Sequence, residues 1–175
     1  MQKLSNAELD RPALEISRKL PKIPLHLVLD NVRSALNTGA IFRTCDAFRI
    51  DTLHLCGITA QPPHREIQKT ALGATESVNW KYWPDTLSAI KALKSENILI
   101  YAAEQVHNAV LLQDFVMPGK VIAIILGHEM DGVSQQVIDQ CDGCIEIPQG
   151  GIKHSLNVSV SAGIICWEIW KKSKS

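Results

Sequence analysis

The chain has 175 residues, of which 46% are hydrophobic, and its 18 basic side chains match its 18 acidic ones. This length and apolar content suit one globular domain with a sizeable core, and they exclude a disordered chain. Balanced charge excludes a globally basic nucleic-acid binder, so any RNA-facing surface must be a local patch.

Residues 1–24 read as a basic helical arm with Arg11, Arg18, Lys19 and Lys22, most simply a solvated helix face. Leu25–Asp30 reads as a buried strand and "TGAIFRTCDAFRI" as a helix. Thr52–Gly57 reads as a second strand, and "ESVNWKYW" holds a short third. Pro84 sits where a helix can begin, ahead of "DTLSAIKALKSE". "NILIYAAE" is strand-like and is joined by a long connection, "EQVHNAVLLQDFVMPG", to Val121–Gly127, the strongest buried strand. "GVSQQVIDQ" is a short helix, and "GCIEIP" alternates and stops at Pro148. The last element is a helix from about Leu156 to Lys172. Strands alternating with helices predict one α/β domain, with a mostly parallel sheet of about six strands flanked by helices.

That last helix carries Leu156, Val160, Ile164 and Trp167 on one side and Val158, Ala162, Ile165 and Ile169 on another. A helix apolar on nearly all faces needs cover on two sides. The sheet supplies one cover, and a second subunit is the expected other. Five cysteines and no leader-like apolar segment point to a reducing, cytoplasmic setting. No apolar run approaches the roughly 20 residues that span a bilayer, so no membrane partner is expected. Cys141 and Cys144 form a lone CxxC without a second pair, so they read as core or loop thiols and no metal is expected.

In an open parallel sheet, ligands sit beyond the carboxyl ends of the strands. Three such ends here lead into polar, glycine-bearing loops: "NVRSALNTGAIFR", "GHEMDGVS" and "PQGGIKHSLN". Ser155 is a natural cap for the last helix, and Asn157 would lie in its first turn. A G-x-G-x-x-G after the first strand is missing, which disfavours a dinucleotide enzyme.

Three segments carry a resemblance. They are Asn37-Thr38-Gly39-Ala40-Ile41-Phe42-Arg43, then Leu126-Gly127-His128-Glu129-Met130-Asp131-Gly132-Val133-Ser134, then Ile147 to Val160, "IPQGGIKHSLNVSV". In order and spacing they resemble the motifs of the SpoU/TrmH branch of the SPOUT methyltransferases, from about residue 25 to the end. His128, Met130 and Gln149 stand where family members more often have Asn, Gly and Met. The resemblance implies a trefoil knot in about residues 121–175, a homodimer, S-adenosyl-L-methionine as donor, and a ribose 2′-hydroxyl of tRNA or rRNA as acceptor. Alternatives are a methyltransferase of the same fold acting on a base, or a non-catalytic RNA-binding factor.

On that resemblance, Arg43 stands at the acceptor. A guanidinium is a poor base, so phosphate binding and stabilisation of a developing alkoxide are its expected work. Asn37 would orient Arg43 or the ribose, or cap a helix. Glu129 would hold a local network or contact substrate. Leu126, Ile147, Pro148, Gly151 and Leu156 would wrap the adenosine, and Gly127 and Gly132 would let the backbone approach it. Ser155 and Asn157 would pin the cofactor loop and help to close the catalytic site. "KTALGA" (Lys69–Ala74) would contribute RNA contacts, flank the site or form an ordinary amphipathic turn.

Overall fold

The structure, a computed structural model, describes residues 1–5, 8 and 12–174, so Arg11 of the expected arm lies outside the described residues. The order is α1 (Leu14–Lys19), β1 (Ile23–Asp30), α2 (Ala35–Phe48), β2 (Ile50–Cys56), α3 (Arg65–Ala71), α4 (Ala74–Ser77) and β3 (Asn79–Trp83). It continues with α5 (Thr86–Ser95), β4 (Leu99–Ala103), β5 (Val110–Leu111), β6 (Ile122–Leu126), α6 (Gln135–Ile138), β7 (Gly143–Glu146) and α7 (Val158–Lys172).

The seven strands form one sheet in the order β3-β2-β1-β6-β4-β7-β5, and every pairing is parallel. The extra strand beyond the sequence expectation is β5, two residues inside the long connection after β4. Its brevity hid it, because two residues set no period.

Alternation along β1 divides the core. Leu25, Leu27 and Leu29 enter one cluster with Ile41, Phe42 and Cys45 of α2 and Ile165 and Ile169 of α7. Val28 enters the other, with Ala89, Ile90 and Leu93 of α5 and Val137 of α6. Both faces of the sheet are therefore covered, as an all-parallel sheet requires. Gly39 lets α3 approach α2, since a Cβ there would strike Thr70 Oγ1 and the Ile67 carbonyl.

Of the expected arm, Leu14–Lys19 is helical among the described residues and buries no side chain, so it is a solvated face that is also anchored by hydrogen bonds. Arg18 donates through Nε to the Glu76 carbonyl at 3.1 Å, and Lys22 Nζ donates to the Asp51 carbonyl at 3.2 Å. On α7, Val158, Ala162, Ile165, Cys166 and Ile169 are buried, while Val160, Ile164 and Trp167 are exposed. The sheet side of this helix is thus covered and its second apolar face is open in the single chain. No helix among the described residues is long and apolar enough to cross a membrane.

Candidate active site

The loops after β1, β6 and β7 meet at the carboxyl edge of the sheet, because β1 adjoins β6 and only β4 separates β6 from β7. Between the second and third loops lies a cavity of about 450 Å³, within the range of small-molecule sites. Leu126, Ile145, Ile147, Leu156 and Val158 give it an apolar wall; Glu104, Gln105, His128, Glu129, Gln149 and Ser155 give it a polar one.

A chain of hydrogen bonds joins the three loops. Glu129 accepts from Arg33 N at 3.0 Å, Ser34 N at 3.1 Å and Asn37 Nδ2 at 3.1 Å. Its carboxylate therefore sits on the amino end of α2, where free N–H groups and the helix dipole favour a negative charge. Burial pushes the Glu129 carboxyl up, but these donors together outweigh it and hold the group below its ordinary value. Asn37 Oδ1 in turn accepts from Asn157 Nδ2 at 3.3 Å. Each loop thus contributes one member: Asn37, Glu129 and Asn157.

This arrangement corrects two sequence expectations. The cap of α7 is Asn157, whose Oδ1 accepts from Ser159 N at 2.9 Å; Ser155 lies before the helix on the cavity wall. Asparagine caps as well as serine does, so the choice fell to whichever side chain sat next to Val158. The cap of α2 is Ser34, which accepts from Asn37 N at 3.2 Å, so Asn37 is inside the first turn. Asn37 places its amide between Glu129 and Asn157.

Gly127 and Gly132 also shape their own loop. A Cβ on Gly127 would strike the backbone of Gly132 and Val133, and one on Gly132 would strike the Glu104 carboxylate. Gly132 has φ +66°, in the left-handed region that suits glycine. The pair lets the loop pinch onto itself, with His128 N donating to the Gly132 carbonyl at 3.1 Å and Gly132 N to that of His128 at 2.9 Å. The close approach at Gly127 is backbone to backbone, and at Gly132 it is to the Glu104 side chain.

Leu126, Gly127, Glu129, Gly132, Ile147, Ser155 and Leu156 all line the cavity; Pro148, Gly151 and Asn157 do not. Gly151 is exposed and faces open space. Arg43 is exposed on α2, in a separate groove with Ala40, Thr44, Ala47, Phe48, Lys69 and Thr70. Lys69 and Thr70 of the "KTALGA" segment therefore flank Arg43 and not the cavity. Glu104 and Gln105 are among the cavity residues that escaped the sequence reading, although they follow β4 at the edge where ligands bind.

Among the described residues, no group of three or more His, Cys, Asp and Glu side chains is placed to hold a metal ion. Burial pushes the Cys141 thiol up to about 12 and that of Cys144 in the same direction, and Cys141 Sγ donates to the Val137 carbonyl at 3.3 Å.

Removing the Glu129 carboxylate leaves Arg33 N, Ser34 N and Asn37 Nδ2 without their acceptor. Glu129→Ala is expected to lower stability by about 1–2 kcal/mol, with Glu129→Gln in between. Urea unfolding checks this; an unchanged midpoint in the alanine variant would remove the helix-capping role.

An all-parallel sheet with a cavity beyond its strand ends, bordered by a self-folded glycine loop, defines an α/β protein built to hold a nucleotide-sized ligand. The chain belongs to the SpoU rRNA Methylase family, whose profile matches residues 24–167. It is 35% identical over 146 residues to tRNA (guanosine(18)-2'-O)-methyltransferase of Thermus thermophilus, covering 82% of this chain and 73% of the relative. It is 32% identical over 145 residues to 23S rRNA (guanosine-2'-O-)-methyltransferase RlmB of Salmonella typhi, covering 83% of this chain and 59% of that longer relative. The crystal structure of the A. aeolicus TrmH/SpoU tRNA modifying enzyme is similar with a TM-score of 0.81 at 25% identity, over 92% of this chain and 81% of that one. AviRb from Streptomyces viridochromogenes, solved in complex with AdoMet, shares the fold with a TM-score of 0.80 at 22% identity, over 94% of this chain and 63% of that one.

Proposed function

We propose that the protein transfers a methyl group from S-adenosylmethionine to a ribose 2′-hydroxyl of tRNA or rRNA. The observation that carries this reading is the Asn37–Glu129–Asn157 hydrogen-bond chain, which draws the three family loops to the edge of one cavity. The relatives named above support the acceptor, because one methylates a guanosine 2′-oxygen in tRNA and the other in 23S rRNA.

The cavity fits the cofactor. Leu126, Ile147 and Leu156 offer apolar surface for an adenine, and Ser155 offers a hydroxyl beside them. Pro148 and Gly151 shape the third loop from outside the cavity wall. The cofactor supplies an activated methyl group on a sulfonium. The chain's own residues bind and align the reactants, which supplies much of such a rate, and no metal is required. Arg43 grips a backbone phosphate and steadies negative charge at the acceptor oxygen, since its planar fork suits oxyanions.

Arg43 and the cavity belong to different surfaces of one chain, and a second copy resolves this. Phe48 lines the Arg43 groove and packs edge-on against Trp167, with ring centroids 6.1 Å apart. The open face of α7 (Val160, Ile164, Trp167) is therefore continuous with the Arg43 groove. A homodimer that covers this face brings Arg43 beside the partner. The trefoil knot also belongs to this reading: β6 inserts between β1 and β4, and α7 then returns to pack on α2. A cytoplasmic setting fits an RNA substrate and five free cysteines.

Calorimetry with chelator present is expected to detect S-adenosylmethionine binding. Nucleoside mass spectrometry of RNA from cells lacking the gene is expected to miss one 2′-O-methylated nucleoside position. An unchanged 2′-O-methyl inventory overturns the acceptor. Light scattering is expected to give a dimer for the native chain and a monomer for Ile164→Glu; a native monomer at micromolar concentration removes the shared site.

A further inference from the structure

We propose that Glu104 and Gln105, the two residues that leave β4, are positioning residues that tie the loop after β6 to the loop after β7 and so set the width of the cofactor cavity. The proposal rests on the cofactor reading above.

Sheet order makes the tie possible. β4 lies between β6 and β7, so whatever follows it emerges between the two loops that border the cavity. Glu104 continues the ladder through its backbone, donating from N to the Ile145 carbonyl at 3.2 Å. Its carboxylate reaches toward the β6 side, where Oε2 accepts from Val133 N at 2.9 Å. Oε1 accepts from Gln105 N at 2.9 Å, which orients the next residue. Gln105 then reaches toward the β7 side, its Nε2 donating to the His154 carbonyl at 2.9 Å. His154 precedes Ser155 on the cavity wall, and both Glu104 and Gln105 line the same cavity.

The sequence makes room for this tie. Gly132 holds a left-handed φ, and the Glu104 carboxylate fills the space that a Cβ would take. A carboxylate is suited to the place because it offers two acceptor oxygens. Glutamine offers one, and its amide nitrogen would face either Val133 N–H or Gln105 N–H. A hydrogen bond of this kind is worth about two- to tenfold in an equilibrium.

The test uses the full chain with Glu104→Ala, Glu104→Gln and Gln105→Ala. Three readouts are taken: S-adenosylmethionine affinity by calorimetry, amide hydrogen exchange by segment, and the thermal midpoint. Glu104→Ala is expected to weaken affinity by about tenfold or more, and Gln105→Ala by about two- to tenfold. Glu104→Gln is expected to fall between the native chain and Glu104→Ala. Exchange is expected to rise in residues 127–134 for Glu104→Ala and in 148–157 for Gln105→Ala, with the thermal midpoint shifting by only a few degrees at most.

A general structural role gives a different pattern: faster exchange across all strands and a fall in midpoint that tracks the affinity loss. That pattern overturns the proposal. Native affinity in both alanine variants overturns it too, while leaving the cofactor reading intact. A native chain that does not bind S-adenosylmethionine overturns the cofactor reading and this proposal with it. Gln105 is exposed, so its variant remains folded and informative even where Glu104→Ala does not.

Discussion

Arg43→Ala is expected to lower methyl transfer by at least about 100-fold, the scale of losing one oxyanion-stabilising group, and to leave S-adenosylmethionine affinity within about twofold. The split follows from geometry: Arg43 lies in the α2–α3 groove and the residues proposed to hold the cofactor line a separate cavity. Lysine is expected to rescue poorly, because a point charge does not replace a planar fork. Mixing Arg43→Ala chains with cofactor-defective Ser155 variants is expected to restore part of the activity, because one of the two sites in such a dimer is then complete. Cofactor affinity and single-turnover transfer on a substrate RNA provide the check. Substantial activity in pure Arg43→Ala sinks the assignment, and a large loss of cofactor affinity makes Arg43 a structural residue.

Acid is expected to destabilise the fold well before most carboxylates titrate. His26 and His54 lie buried side by side on β1 and β2, their rings stacked with centroids 5.2 Å apart. Trp83 Nε1 donates to His54 Nδ1 at 2.9 Å, and an indole only donates, so neutral His54 carries its proton on Nε2. That Nε2–H then donates to His26 Nδ1, also at 2.9 Å. The network is satisfied only while both rings are neutral. Burial pushes His54 down to about 3, with His26 and Lys81 adding to it. Burial also pushes His26 down, although Asp51 opposes it. Between that value and the ordinary 6.5, the unfolded chain binds a proton that the folded chain refuses. Stability is therefore complete above pH 6.5 and is lost as pH falls toward 3. From about pH 7.5 to about pH 5, His54 alone accounts for about 2 kcal/mol. Urea unfolding across that range measures the slope, and His54→Gln should flatten it. An equally steep slope in His54→Gln moves the effect to other groups.

The elements with long or uninterrupted patterns were legible from the sequence. β1 and β6 are runs in which burial repeats residue by residue, α7 repeats it at helical spacing, and α5 begins where Pro84 and Asp85 mark a start. β5 was not legible, because two residues set no period and its pairing to β7 is purely tertiary. The candidate site was legible in its parts, since Leu126, Glu129, Ile147 and Ser155 do line one cavity. Its wiring was not. Ser34 and Asn37 are both good capping residues, as are Ser155 and Asn157, and only the approach of Glu129 decides which of the first pair faces inward. Glu104 was hidden for a similar reason. A carboxylate after a strand carries no motif, and its meaning comes from the placement of β4 between β6 and β7.

The Asn37–Glu129–Asn157 chain sits at the amino end of the helix that carries Arg43 two turns later. A ligand that shifts the second or third loop therefore shifts the start of a rigid rod whose far part, in the function proposed above, meets the acceptor. The two ligands then share one free energy of coupling. By whatever factor RNA changes the affinity for S-adenosylmethionine, S-adenosylmethionine changes the affinity for RNA by the same factor. Severing the rod from the loops with Asn37→Ala is expected to bring that factor toward one for both.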